Sequence, residues 1–198
     1  MAEITAAMVK KLRDQSGVGM MDCKKALQET DGDFDKALEV LRKKGMAKAA
    51  KRAGREANEG VITSYIHPGN KLGVLVEVNT ETDFVANTDD ISEFSRNVAM
   101  HIAASSPLAV SREELDKESL EKERAILKDQ ALQSGKPENI VEKIVDGRLE
   151  KYYGEVVLME QPYVKDPDKT IKDYLTETIA KVGENVTIRR FARFRIGE

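Results

Sequence analysis

The chain has 198 residues, enough for one or two domains and for a hydrophobic core that needs no disulfide or metal. Charged residues are 34% and the net charge is −3, so the surface is dense in both signs, which argues against bulk attraction to nucleic acid. One cysteine, Cys23, excludes an intramolecular disulfide, and no apolar run approaches the ~20 residues that span a bilayer. The opening Met-Ala-Glu-Ile-Thr lacks a basic region followed by an apolar stretch, so no secretory signal and a cytoplasmic location are expected.

Residues 5 to 45 predict three short helices. Thr5 caps the first, and Met8, Val9 and Leu12 form its apolar stripe. Gly17-Val18-Gly19 breaks it, because glycines that close together favour a tight turn. The second helix covers Met21 to Leu27 and ends at Asp31-Gly32. The third starts at Asp33, carries Phe34, Ala37, Leu38 and Leu41 at helical spacing, and stops at Gly45. Such a compact bundle resembles the ubiquitin-associated type, which binds other proteins more often than it catalyses. Cys23, on a helix among apolar neighbours, is expected to be a small buried residue.

Residues 46–60 read as a basic, partly helical linker. Arg42, Lys43, Lys44, Lys48, Lys51, Arg52 and Arg55 fall together with no acid among them. The alternatives are a solvated connector and a phosphate-contacting arm, and the absence of interleaved aromatics weakens the second. Next come a strand at Val61 to Ile66, a turn at His67-Pro68-Gly69-Asn70 and a returning strand at Lys71 to Asn79. Leu72, Val74, Val76 and Val78 share one face of the returning strand.

That strand runs into the loop Thr80-Glu81-Thr82-Asp83-Phe84-Val85-Ala86-Asn87, where Phe84 sits among polar neighbours. On composition alone the favoured reading is that Phe84 tucks into its own core and Asp83 caps a turn. The alternative is a wedge, since an aromatic anchor beside a charge is the usual make-up of an interface hot spot. A helix then starts with Thr88 as cap and Asp89 and Asp90 in its first turn; Ile91, Phe94, Val98 and Ile102 form its core stripe. Asp83, Asp89 and Asp90 match no loop with alternating oxygen ligands, so no metal is assigned to them.

Ser111 and Glu114 fit a capping box that opens an antiparallel helical hairpin spanning about residues 113–153. Leu120, Ile126, Leu127, Ala131 and Leu132 line one arm, Ser134-Gly135-Lys136-Pro137 turns the chain, and Ile140, Ile144, Val145, Leu149 and Tyr152 line the other. Glu155 to Met159 reads as a strand. Thr170 and Asp173 then open a helix with Ile171, Tyr174, Leu175, Ile179 and Val182 on its stripe and Gly183 at its end. Val186 to Ile196 is the last strand, with Ile188, Ala192, Phe194 and Ile196 on one face and Arg189, Arg193 and Arg195 on the other.

The predicted fold is α+β: a three-helix bundle at 1–45, a basic linker at 46–60, and a core at 61–198 with a small antiparallel sheet and a protruding helical hairpin. No Gly-rich phosphate loop, activated Ser or Cys nucleophile, or zinc-type Cys/His cluster occurs, so neither an enzyme nor a cofactor is assigned. His67 lies in a turn and His101 beside a core stripe, and both read as structural.

Two stretches match a known family. Residues 12–27, from Leu12-Arg13-Asp14-Gln15-Ser16-Gly17-Val18-Gly19-Met20-Met21 to Ala26-Leu27, resemble the first signature of bacterial translation elongation factor Ts, and Glu77 to Ala86 resembles its second. The likeness continues through residues 134–137 and 155–164 to the end of the chain. It implies a guanine nucleotide exchange factor for elongation factor Tu. It assigns partner binding to the N-terminal residues Leu12, Arg13, Gly17, Gly19 and Met20. It also makes Thr82, Asp83, Phe84 and Val85 the motif that intrudes near the partner's nucleotide site, disturbs magnesium and speeds GDP release. One strand-helix unit, at Val61 to Ser105, stands where longer members carry two; this resembles the short form of the family and implies a homodimer. Two other classes remain open: an adaptor that uses only the N-terminal bundle, and an RNA-associated protein that uses Arg42 to Arg55.

Overall fold

The computed structural model describes residues 4–52, 54–134 and 137–197. The turn signal at residues 134–137 lies partly outside them, at Gly135 and Lys136. The architecture is α+β, with eight α-helices and two small sheets among the described residues. Two compact units emerge, one of Met1–Val61, Asn79–Phe94 and Asp173–Thr187, the other of Ile62–Val78, Ser95–Lys172 and Ile188–Glu198.

In the first unit, α1 (Ala6–Ser16) is capped by Thr5, whose hydroxyl accepts from the Met8 N–H at 3.3 Å. Gly17 closes it at φ 66°, in the left-handed region. α2 (Met20–Glu29) ends before Asp31 (φ 50°) and Gly32 (φ 83°). The Asp33 carboxylate then accepts from the Lys36 N–H at 3.1 Å as α3 begins. Val9, Leu12, Cys23, Ala26, Leu27, Ala37 and Leu41 form the core of these three helices. The expected stop at Gly45 does not occur: α3 runs from Phe34 to Arg52. A Cβ at Gly45 would lie 3.2 Å from the Cβ of Ala180, so this glycine permits close approach of α8 (Ile171–Val182) and ends nothing. α4 (Asp83–Ala86) and the start of α5 (Asp89–Ser105) complete the unit. Ile91 and Phe94 of α5 are buried, and Phe94 packs against Tyr174 with ring centroids 5.0 Å apart.

The second unit holds most of a three-stranded sheet of order β1-β2-β5, formed by Glu59–Ile66, Leu72–Thr80 and Val186–Arg195. The β1–β2 hairpin is closed by the His67 N–H to the Leu72 carbonyl at 2.9 Å, with Asn70 at φ 57°. Val74, Val76 and Val78 are buried, as are Val98 and Ile102 of α5, and Thr63 donates to Ser95 at 2.7 Å. β5 departs from expectation: Ile188 is buried, but Phe194 and Ile196 are exposed.

α6 (Lys117–Gln133) and α7 (Glu138–Val156) form the helical hairpin around Ala131, Val141, Val145 and Leu149. Ser111 does not open it. Residues Arg112–Glu114 make one 3-10 turn and Asp116 caps α6, accepting from the Ser119 N–H at 2.8 Å. Glu114 does bond back to the backbone, but at the Val110 N–H, 3.2 Å away. Ile126, Leu132 and Ile140, expected inside, are exposed, while Leu120, Leu127, Ile144 and Tyr153 pack against the inner seam. The strand expected over Glu155 to Met159 is the end of α7 and a 3-10 turn at Leu158–Glu160, with a single bridge from Val157 to Ala109. A two-stranded ladder of β3 (Pro162–Tyr163) and β4 (Asp166–Thr170) follows. Buried His101 accepts at Nδ1 from the Val164 N–H (3.3 Å), which leaves Nε2 to donate to Gln161 (2.9 Å). No helix among the described residues is long and apolar enough to cross a membrane.

Candidate partner-binding surface

Among the described residues of the first unit, the most exposed large apolar side chain belongs to the loop that follows β2. Thr80 is fully buried, and its hydroxyl donates to the Thr82 carbonyl at 2.8 Å, which turns the chain. Thr82, not Asp83, is the cap: its backbone is extended (φ −129°, ψ 154°) and its hydroxyl accepts from the Val85 N–H at 3.3 Å. One helical turn, Asp83–Ala86, follows. Successive residues in a single turn point in different directions, so Val85 and Ala86 face inward and are buried while Asp83 and Phe84 face out. Phe84 is 80% exposed, which overturns the tucked-in reading that composition favoured. The turn is closed behind it by Asn87, which donates through Nδ2 to the Asp83 carbonyl at 2.8 Å, and by the Thr88 hydroxyl on the Val85 carbonyl at 2.7 Å.

Two residues past the end of α8 hold the base of this turn. The Glu184 carboxylate accepts from both the Thr82 N–H (3.0 Å) and the Thr82 hydroxyl (2.8 Å). In return the Glu81 carboxylate accepts from the Asn185 N–H at 2.6 Å and from Arg55 at 3.4 Å, while the buried Asn185 amide donates to the Arg55 carbonyl at 2.8 Å. The Asn185 N–H, with help from Arg55, holds the Glu81 carboxyl below its ordinary range against the opposing cost of burial. Sequence reading missed this pairing, since Glu81 and Glu184 meet partners more than a hundred residues away.

The N-terminal candidates divide into two groups. Leu12 is fully buried and supports the bundle. Gly17 forms the αL turn, with its N–H on the Arg13 carbonyl at 2.8 Å. Arg13, Gly19 and Met20 are exposed, and Met20 begins α2 with Met21 beside it at the surface. A Cβ at Gly17 would lie 3.4 Å from the stem of Lys181, whose ammonium pairs with Asp90 at 2.6 Å. The last turn of α8 and the residues after it therefore touch both candidate groups: Lys181 meets the α1–α2 turn, and Glu184 holds Thr82.

Six of the seven basic residues between Arg42 and Arg55 are engaged within the chain. Lys43 pairs with Glu39 (2.6 Å), Lys44 with Glu29 (2.7 Å), Lys48 with Asp22 (2.8 Å) and Arg42 with Asp173 (3.8 Å). Arg52 donates to the Ile179 carbonyl at 3.3 Å and Arg55 pairs with Glu81. Each exposed pair is weak, but five of the seven charges face a carboxylate, which lessens the pull on a phosphate backbone. The hydrogen bond from Lys48 also lowers the Asp22 pKa below its usual value. Cys23 is fully buried, with its thiol donating to the Val18 carbonyl at 3.4 Å. What the surface offers is an exposed aromatic and a carboxylate on a braced base, the make-up of a protein-binding anchor.

The chain matches the family model described as Elongation factor TS over residues 47–198. It is 60% identical over 195 residues to Elongation factor Ts of Carboxydothermus hydrogenoformans, covering 98% of the chain and 90% of that protein. It is also 60% identical over 195 residues to the factor of Thermoanaerobacter pseudethanolicus, covering 98% and 96%. Against Elongation factor Ts of Desulfosudis oleivorans it is 58% identical over 198 residues, the full length of both. With a family match over most of its length and relatives this similar from end to end, the chain belongs to the elongation factor Ts family of translation elongation.

Proposed function

We propose that the chain is a guanine nucleotide exchange factor for elongation factor Tu, acting in the cytoplasm. The observation that carries this reading is Phe84, 80% exposed on a turn whose base is locked. Exchange requires that the factor bind the opened, nucleotide-free partner more tightly than the GDP-bound one, because equal affinity shifts nothing. Phe84 supplies that difference by entering a cleft that exists only when the partner's nucleotide site opens. Asp83 accepts hydrogen bonds from groups exposed by the opening, while Thr82 and Val85 fix the turn. Magnesium and phosphate coordination are disturbed, GDP leaves and GTP rebinds. Arg13, Gly19 and Met20 make a second contact, with Leu12 and Gly17 setting its shape. The test is stimulated release of a fluorescent GDP analogue by Phe84→Ala alongside its thermal unfolding. Release slows at least about tenfold, the scale of losing one hot spot, and melting stays near that of the unaltered chain. Unchanged release contradicts the reading.

The same reading includes a homodimer, supported by the second unit. Gly73 and Ile66 share a sheet face, since a Cβ at Gly73 would lie 3.0 Å from Ile66. Ile62 and Leu75 follow by strand alternation. The Arg190–Glu77 pair, 2.7 Å, places Phe194, four residues on, with them. Ile62, Ile66, Leu75 and Phe194 are exposed, Ile62 at 71% and Phe194 at 70%. A contiguous apolar sheet face of this kind suits a second copy of the chain.

A further inference from the structure

Glu184 does more than fill a turn. A four-residue helix does not support itself in water, because nucleation fixes several residues for one hydrogen bond. The Asp83–Ala86 turn therefore needs outside anchors, and its Thr82 base has a strong one. The half-buried Glu184 carboxylate takes the Thr82 N–H on one oxygen and the Thr82 hydroxyl on the other, at 3.0 and 2.8 Å. Such charge-assisted, two-point contacts fix direction as well as distance. The hydroxyl so oriented keeps its lone pairs toward the Val85 N–H, so the same carboxylate sets the cap that starts the turn. Asn185 is pinned in turn by Glu81 and by its own bond to the Arg55 carbonyl, so Glu184 stands on a fixed support.

We propose that Glu184 is a positioning residue for nucleotide exchange: through Thr82 it holds the Asp83–Ala86 turn in the orientation that presents Phe84 to the partner. This rests on the proposed role of Phe84. Holding the turn in advance removes an ordering cost that binding to the opened partner would otherwise carry. That cost falls on the state in which Phe84 is engaged, so it appears in the maximal stimulated rate and not in first capture of the GDP-bound partner.

The experiment is a double-mutant cycle on the full chain, measuring stimulated release of a fluorescent GDP analogue against factor concentration. Glu184→Ala lowers the maximal rate about fivefold, the scale of one lost hydrogen bond, and leaves the half-saturating concentration within about twofold. In the Phe84→Ala background the same substitution changes the rate less than about 1.5-fold, because its effect runs through Phe84. Glu184→Gln keeps an acceptor for the N–H but sets a donor against the hydroxyl that now donates to Glu184, so its rate falls between those of the unaltered chain and Glu184→Ala. Glu184→Asp keeps the charge but is too short to reach both groups; it slows release as Ala does and keeps the measurement decisive if Ala melts near the assay temperature. Full activity of Glu184→Ala, or an equal loss in both backgrounds, overturns the proposal. If Phe84→Ala alone releases GDP at the unaltered rate, it is the parent reading that fails.

Discussion

Phe84 and His101 show opposite uses of a ring. Phe84 contributes almost nothing to the core, so truncating it leaves folding within about 0.5 kcal/mol, the range of ordinary surface changes. His101 is wholly buried, with both ring nitrogens bonded and only one carrying a proton. Burial pushes its pKa below the ordinary value, partly offset by the Gln161 acceptor. The neutral form is thus favoured by folding. The stability it contributes is complete above the unfolded value of about 6.5 and is lost as pH falls through the lower folded value. Urea unfolding midpoints should be level from pH 8 to 6.5 and decline from there toward pH 5. A midpoint that stays level to pH 5 would show that His101 takes up its proton as readily in the folded chain as in the unfolded one.

Elements were legible where one residue type served one purpose. The apolar stripe of α5, the valines of β2 and the two glycines after α1 each appear where spacing placed them. The errors came from residues with two physical meanings. Glycine commonly ends helices, yet Gly45 continues one and gives Ala180 room. Gly45→Leu should therefore cost about 1–3 kcal/mol by overpacking, read by thermal or urea unfolding. Val156-Val157-Leu158-Met159 reads as a strand because short apolar runs do not distinguish a strand from a helix end. The basic run holds no acid within it, but α3 carries it past Asp22, Glu29 and Asp173. Core packing in the first unit is also testable. Phe94, 1% exposed against Tyr174, should cost about 3–5 kcal/mol when cut to alanine, with exchange lost as the fold melts. That pattern is the reverse of the one expected at Phe84.

At the scale of the whole molecule, the family signature was legible and the support behind it was not. Thr82-Asp83-Phe84-Val85 is a local string, whereas Glu184 and Asn185 reach it only through the fold. The exposed sheet face was likewise hidden, because Phe194 and Ile196 read as inward until β5 was in place. If a second copy covers that face, Phe194→Asp buries a charge in the interface, and sedimentation should show a species of half the mass. An unchanged mass would remove the sheet face from the dimer. The most direct measurement remains GDP release from elongation factor Tu by the chain with and without Phe84. With Phe84→Ala, release should fall at least about tenfold while the melting curve stays in place; release at the unaltered rate from a fully folded variant would contradict the wedge.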